Sequence, residues 1–275
     1  MTSAYHPRMS ALRSLQDSLG EIGRGGVRAS IGWWHVAQIG ALILVLALSP
    51  STYDRANRAA LARHVWLGTA PILAWFALLS ALISVVLIRI VVVTALSYGL
   101  SQYALEMVVR VLVLELIPLT AALFVALRST VPSGADLIRM HQRGEFEALL
   151  HAGTDPLRHE LLPRVLAGIF AVLMLAAVSC LIAMLLAYLA VYGFTLGALA
   201  GFTHTLGRIF NPAVALIFAL KTLFFSLAVA LIPVAAFLRA RSAAGPRTSP
   251  ELESLVRLFT AILLIEVASL MSNYY

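Results

Sequence analysis

Ionisable side chains stand inside stretches that are otherwise apolar: Arg89, Glu106, Arg110, Glu115, Lys221 and Glu266. A charge at the centre of a bilayer costs about 2.5–3.5 kcal/mol on insertion scales, so such residues face protein or a cavity. Glu106 and Arg110 are four residues apart with the acid first, the orientation that favours a helical ion pair. Two readings fit these groups. On one, Arg89 or Arg110 meets a phosphate in an intramembrane cavity. On the other, the arginines pair with Glu106 and Glu115 or snorkel to the interface. Covalent chemistry finds no support. There is no Walker A loop and no G-x-S-x-G, and His159-Glu160 is not followed by the second histidine of H-E-x-x-H. His141, His151 and His159 are ten and eight residues apart, which does not gather them as ligands, so no metal site is expected. The single cysteine, Cys180, excludes an intramolecular disulfide and reads as a small packing residue.

The elements that must hold these charges are membrane helices. The 275 residues are 61% hydrophobic and only 12% charged, with a mean hydropathy of +0.92. Soluble domains are typically about 45–50% apolar and about 25% charged, so a soluble domain, a disordered chain and a secreted disulfide scaffold are excluded. A spanning helix needs about 20 mostly apolar residues. Five runs qualify, at about 69–93, 105–127, 165–192, 209–238 and 255–271. In residues 1–30, Met9, Leu12, Leu15, Leu19 and Ile22 recur at helical spacing, and Arg13, Asp17 and Glu21 share another face, which predicts an amphipathic helix. Residues 31–48 are apolar but short, with Trp33 and Trp34 at their start. They are read as an interfacial or re-entrant helix, which with its connector fills 31–64. The five spans occupy 65–275.

The net charge of +7 does not point to nucleic acid, because the arginines sit between apolar runs. If 31–48 does not cross, one side collects Arg8, Arg13, Arg24 and Arg28, then Arg55, Arg58 and Arg63. The same side takes the arginines between the second and third spans and those between the fourth and fifth. The other side, at 94–104, 193–207 and 273–275, has none. The positive-inside rule then places the N-terminus in the cytoplasm and the C-terminus outside. The longest polar stretch, 129–164, faces the cytoplasm. Its stripe of Leu137, Met140, Phe146, Leu149 and Leu150 predicts a helix suited to a soluble partner. Asp155-Pro156 reads as an N-cap followed by a first-turn proline. Gly193, Gly197 and Gly201 read equally as a helix-packing stripe or a glycine-rich turn.

The region around that stretch carries a pattern. Glu115-Leu116-Ile117-Pro118 precedes it. Ala135-Asp136-Leu137-Ile138-Arg139-Met140 and Glu145-Phe146-Glu147-Ala148-Leu149 lie within it. Gly153-Thr154-Asp155-Pro156 and Pro163-Arg164-Val165-Leu166-Ala167-Gly168 close it. Together these resemble the MlaE-like permeases, the membrane subunits of ABC transporters that work with MCE proteins. Departures stand at Leu114, where the family has arginine, at Ile117, where it has glycine, and at Ile138 and Gly144.

The resemblance implies an all-α integral membrane fold: an N-terminal amphipathic and interfacial helix, five spans, and a cytoplasmic coupling helix between the second and third. It implies a homodimer in a bacterial inner membrane, with a lipid cavity at the dimer interface, lined by the first, second and fifth spans. Glu115, Arg110, Arg89 and Glu106 are its candidate polar residues. It also implies a cytoplasmic ATPase partner, a periplasmic MCE-domain partner and a small STAS-type accessory on the ATPase. The cargo is phospholipid or a related lipid. The chain itself would need no cofactor, because ATP is bound by the partner. The coupling helix is placed at 136–152. Met140, Phe146 and Leu149 form its buried stripe, and Asp136, Arg143, Glu145 and Glu147 form its charged rim. Gly144 inside that helix costs about 1 kcal/mol relative to alanine, so it marks a kink or a close contact. The departures carry an alternative, a degenerate permease or membrane scaffold without ATPase coupling. An intramembrane lipid-modifying enzyme would need a catalytic constellation that the sequence lacks.

Overall fold

In the computed structural model the described residues are 34, 36–43, 45, 46, 49, 55–100, 103–153, 155–242 and 250–274. The amphipathic segment at 1–30 lies outside them. Of the 31–48 segment, residues 34, 36–43, 45 and 46 are described, and they are helical. The chain divides into two units, Met1–Val45 and Leu46–Tyr275. The intramembrane charges all belong to the second unit.

The described residues of that unit form helices joined by short turns, with no strand among them. Five of its helices are long and apolar enough to span a bilayer: Leu61–Ser97, Ala104–Gln142, Leu157–Tyr192, Pro212–Leu238 and Leu252–Ser272. We number the elements α1 (Arg55–Ser97), α2 (Ala104–Gln142), α3 (Glu145–His151), α4 (Leu157–Tyr192), α5 (Leu199–Ile209), α6 (Pro212–Ser242) and α7 (Pro250–Tyr274). The spans run past their sequence-read limits, because hydropathy marks the lipid-facing part and the winding continues into polar turns. The exception is the start of the fourth. The apolar run at 209–238 includes Ile209, but Ile209 ends α5, and Asn211 opens a new helix by accepting from the Val214 N–H at 2.9 Å.

Large apolar side chains such as Trp75, Leu82, Leu181, Leu185 and Leu263 are exposed, as a lipid-facing surface requires. The interior is built on α2, the most buried of the five spans. Its Val109, Val113, Ala121, Ala122 and Val125 pack into a core to which α4 contributes Ala171, Val172, Leu175, Ala183 and Ala187. The alanines matter because small residues let helices approach where lipid gives no hydrophobic drive to associate.

α2 is wound unevenly, and its prolines explain why. It carries π-helical segments at Val109–Leu116 and Ala126–Thr130, and α4 opens with another at Leu157–Leu161. Each lies just before a proline: Pro118, Pro132 or Pro163. Proline has no N–H for the carbonyl four residues back, and its ring crowds that carbonyl. The helix widens instead. The Ile117, Val131 and Leu162 N–H groups bond five residues back, to the carbonyls of Leu112, Ala126 and Leu157. α2 also outruns the membrane. Its 39 residues make roughly 55–60 Å of helix against a hydrocarbon core of about 30 Å, so its last turns form an arm beyond the bilayer.

Candidate functional site

The charges of the spans meet in two places. The first is deep in the bundle. Lys221 of α6 is almost wholly buried, its side chain 1% exposed, and two carboxylates close on it. Nζ donates to Glu115 Oε2 of α2 and stands 3.0 Å from Glu266 Oε2 of α7, which makes a triad. It also donates to the Leu114 carbonyl at 3.3 Å. That carbonyl is available because its regular helical partner would be the N–H of residue 118, which is proline. A buried ammonium needs compensation, and here Glu115 and the freed carbonyl take its hydrogen bonds while Glu266 adds a second negative charge beside it. Lys221 also lines a groove of about 400 Å³ between α6 and α7, walled by Ile217, Leu220, Phe224, Leu264, Ile265 and Ala268, with Ser269 and Ser272 beside them. The trough is mainly apolar, and the lysine on its lining is buried against its two carboxylates.

The second place is near the opposite end of the bundle from the arm. Arg110 Nε donates to Glu106 Oε1 at 3.0 Å, so the helical pair read from the sequence forms. Arg208 of α5 stands 3.8 Å from the same carboxylate. It follows directly on the 193–207 piece that carries no arginine; α5 itself is held by Phe202 and Ile209, which are buried in the core. Arg89 is exposed on α1 and has no ion pair among the described residues, so the structure does not bring it to Glu115 or to the trough. Helix α1 contributes nothing to the trough, and α6 supplies the lysine on its lining. Lys221 and Glu266 are visible in the sequence as intramembrane charges, but nothing in the spacing ties them to Glu115.

The arm is the other candidate region, and it is two helices rather than one from 136 to 152. α2 ends at Gln142, and Gly144 adopts φ +74°, closing the turn with its N–H on the His141 carbonyl at 3.0 Å. A left-handed residue cannot continue a right-handed helix, and glycine takes that conformation without a Cβ clash. α3 then starts at Glu145. Phe146 is buried, stacked on Phe237 of α6 at 5.4 Å, with His141 edge-on to both rings. Met140 is half-buried, and its sulfur accepts from Arg164 Nη2 at 3.3 Å. Leu149 is half-buried. The apolar stripe expected to face a partner is therefore spent largely on this chain's own helices. Exposed on the arm are Arg143, Glu147, Leu150 and the Asp136–Arg139 pair, with Glu145 3.8 Å from Arg143.

Arg164 fastens the arm to α4. It donates to Glu160 Oε2 at 2.9 Å and, at 3.4 Å, to the backbone oxygen and the hydroxyl of Ser133. One turn on, Gly168 lets three helices meet. A Cβ there would stand 3.0 Å from Thr130 Cγ2 and 3.3 Å from Ala230 Cβ. Asp155 caps α4, accepting the Leu157 N–H at 3.0 Å ahead of which Pro156 begins the helix. The parts of the sequence pattern thus divide by what they hold. Glu115 and Pro118 serve the lysine, Asp155-Pro156 the cap, and Pro163, Arg164 and Gly168 the junction of arm and bundle.

The family model described as Permease MlaE matches residues 61–271, from the start of the first span to the end of the last. The chain belongs to the MlaE permease family. No curated protein matches the chain. The permease is a multi-pass membrane protein, and the matched stretch holds both the Glu115–Lys221–Glu266 triad and the whole arm. Gly193 ends α4 with φ +67°, and nothing stands within 4 Å of a Cβ built at Gly193, Gly197 or Gly201, which favours the turn over the packing stripe.

Proposed function

We propose that this permease is the membrane subunit of an ABC transporter that moves phospholipid or a related lipid between the inner membrane and a periplasmic MCE-domain partner. The observation that carries the reading is the trough between α6 and α7. Apolar walls with a buried lysine on the lining suit an amphiphile, with chains along Ile217, Leu220, Phe224 and Leu264 and the polar group toward Lys221, Ser269 and Ser272. The protein performs no covalent step. ATP is hydrolysed by a separate cytoplasmic ATPase, with a small STAS-type accessory on it, and the permease acts as a homodimer. The arm faces the cytoplasm with the N-terminus, and the C-terminus is periplasmic, in keeping with the arginine distribution.

The burial of Phe146 favours a second reading, a permease or scaffold that has lost its ATPase. A docking helix without its central aromatic anchor keeps only a charged rim and Leu150 for a partner. One experiment separates the two. The tagged permease is purified in mild detergent, and the co-purifying proteins and lipids are identified by mass spectrometry. Recovery of an ATPase together with an MCE-domain protein supports the transporter. A dimer that carries lipid and recovers no ATPase in several detergents refutes it in favour of the second reading.

A further inference from the structure

The arm is joined to one span far more tightly than to the others. Gly134, Leu137 and His141 lie on one face of α2, at i, i+3 and i+7. That face rests on α6. A Cβ at Gly134 would stand 3.1 Å from Pro233 Cβ and 3.4 Å from the Pro233 carbonyl oxygen, so the backbones are in near contact. Four residues on, on the same face of α6, Phe237 holds the Phe146 stack, and Leu137 is fully buried beside it. On its other flank the arm is loose. A cavity of about 320 Å³ opens beside Ser133 and His64 of α1, with Ala230 of α6 on its wall, and Arg164 of α4 lines it while donating to Ser133. A push on α3 therefore meets a packed aromatic joint on one side and free volume on the other. Packed interfaces transmit displacement, and voids absorb it. The receiving helix carries Pro233 inside it, which removes a backbone hydrogen bond at the point of contact. Lys221 lies twelve residues away on that helix, roughly 18 Å at the α-helical rise.

We propose that the Phe146–Phe237 stack and the Gly134–Pro233 contact form the link that carries movement of α3 into α6 and so to Lys221 on the lining of the trough. Phe237 is a positioning residue on this account. It touches no cargo, and it sets whether ATP-driven motion reaches the group that does. The proposal rests on the transporter reading above.

The test uses the full complex in proteoliposomes, with ATP hydrolysis and lipid transfer measured on the same sample. Phe237→Ala should leave ATPase recovery and hydrolysis within about twofold of wild type and lower lipid moved per ATP at least tenfold. Phe146→Leu, a milder change at the surface arm, should lower the same ratio severalfold, and Phe237→Tyr, which keeps the ring, should restore it. Hydrogen exchange over 212–232 should change when ATP is trapped in the wild-type complex and stay unchanged in Phe237→Ala. An unaltered lipid-to-ATP ratio in both Phe237→Ala and Phe146→Leu overturns the link. Loss of ATPase binding together with transfer in Phe146→Leu also overturns it, since the ring would then serve docking alone. A wild-type permease that recovers no ATPase refutes the underlying transporter reading and removes the link with it, an outcome visible before any variant is compared.

Discussion

Replacing Lys221 by methionine removes the cation between Glu115 and Glu266 and leaves their carboxylates facing each other inside the bundle, with side chains 12% and 17% exposed. Breaking a buried ion pair from one side costs about 3–5 kcal/mol, because the remaining charge is uncompensated. The variant also strands the Leu114 carbonyl that Pro118 cannot serve. At about 2–4 °C per kcal/mol for a chain of this order of size, the melting temperature should fall by roughly 10 °C. Tryptophan fluorescence in detergent, followed against temperature, reads this directly. The triple variant Glu115→Gln, Lys221→Met, Glu266→Gln removes every charge at once. Such replacements of buried ion networks are often neutral or stabilising, so most of the lost stability should return. Lipid recovered with the protein should stay low in both variants, since the charge on the lining of the trough is gone. An unchanged melting temperature in Lys221→Met would refute the reasoning, and so would a triple variant as unstable as the single one.

Glu145→Lys with Glu147→Lys reverses the charged rim of α3 while leaving Phe146 in place. Surface changes of this kind shift stability by about 0.5 kcal/mol or less, so folding should hold while ATPase recovery in pull-down falls at least tenfold. Unchanged recovery would remove α3 from the interface. Gly144→Ala places a Cβ on a residue at φ +74°, which costs about 1–2 kcal/mol. The melting temperature should drop by a few degrees, and no drop would show that the arm turns some other way. Arg164→Met deletes the donors that Glu160, Ser133 and Met140 share. Hydrogen bonds to charged groups contribute about 1.5–3 kcal/mol, and Arg164→Lys, with one compact donor group, should recover only part of that in the same thermal assay.

The spans were legible because a bilayer demands length and apolarity together, and both are properties of a single run of residues. The Glu106–Arg110 pair and the Asp155-Pro156 cap were legible for the same reason, since each is decided within one helical turn. The triad was not. Glu115, Lys221 and Glu266 come from three helices, with 106 residues separating the first two. Periodicity carries no information across such distances. One signal did point there. Lys221 is the single lysine among many arginines, in a span where a cation must find a carboxylate. Asking which acids at similar depth lacked a helical partner would have left Glu115 and Glu266. The wide turns were also within reach, since every π segment stands just before a proline.

The arm shows a limit of a different kind. An apolar stripe on a helix states that one face will be buried, and it does not state against what. Leu137, Met140, Phe146 and Leu149 would read the same whether they met a soluble partner or the end of a neighbouring span. The deciding residues lie outside the stripe. Gly144 turns the chain so that Phe146 swings back toward the bundle, and Phe237, about ninety residues later, provides the ring that receives it. Once that face is spent, the arm leaves exposed a small set of charges around Leu150. On the proposed transporter reading, recognition of the ATPase there comes from the arrangement of charge, which gives register and encounter rate, with little buried apolar area behind it. The same residues that deprive the arm of a hydrophobic docking face fasten it to α6. Both follow from the choice of which helix buries Phe146.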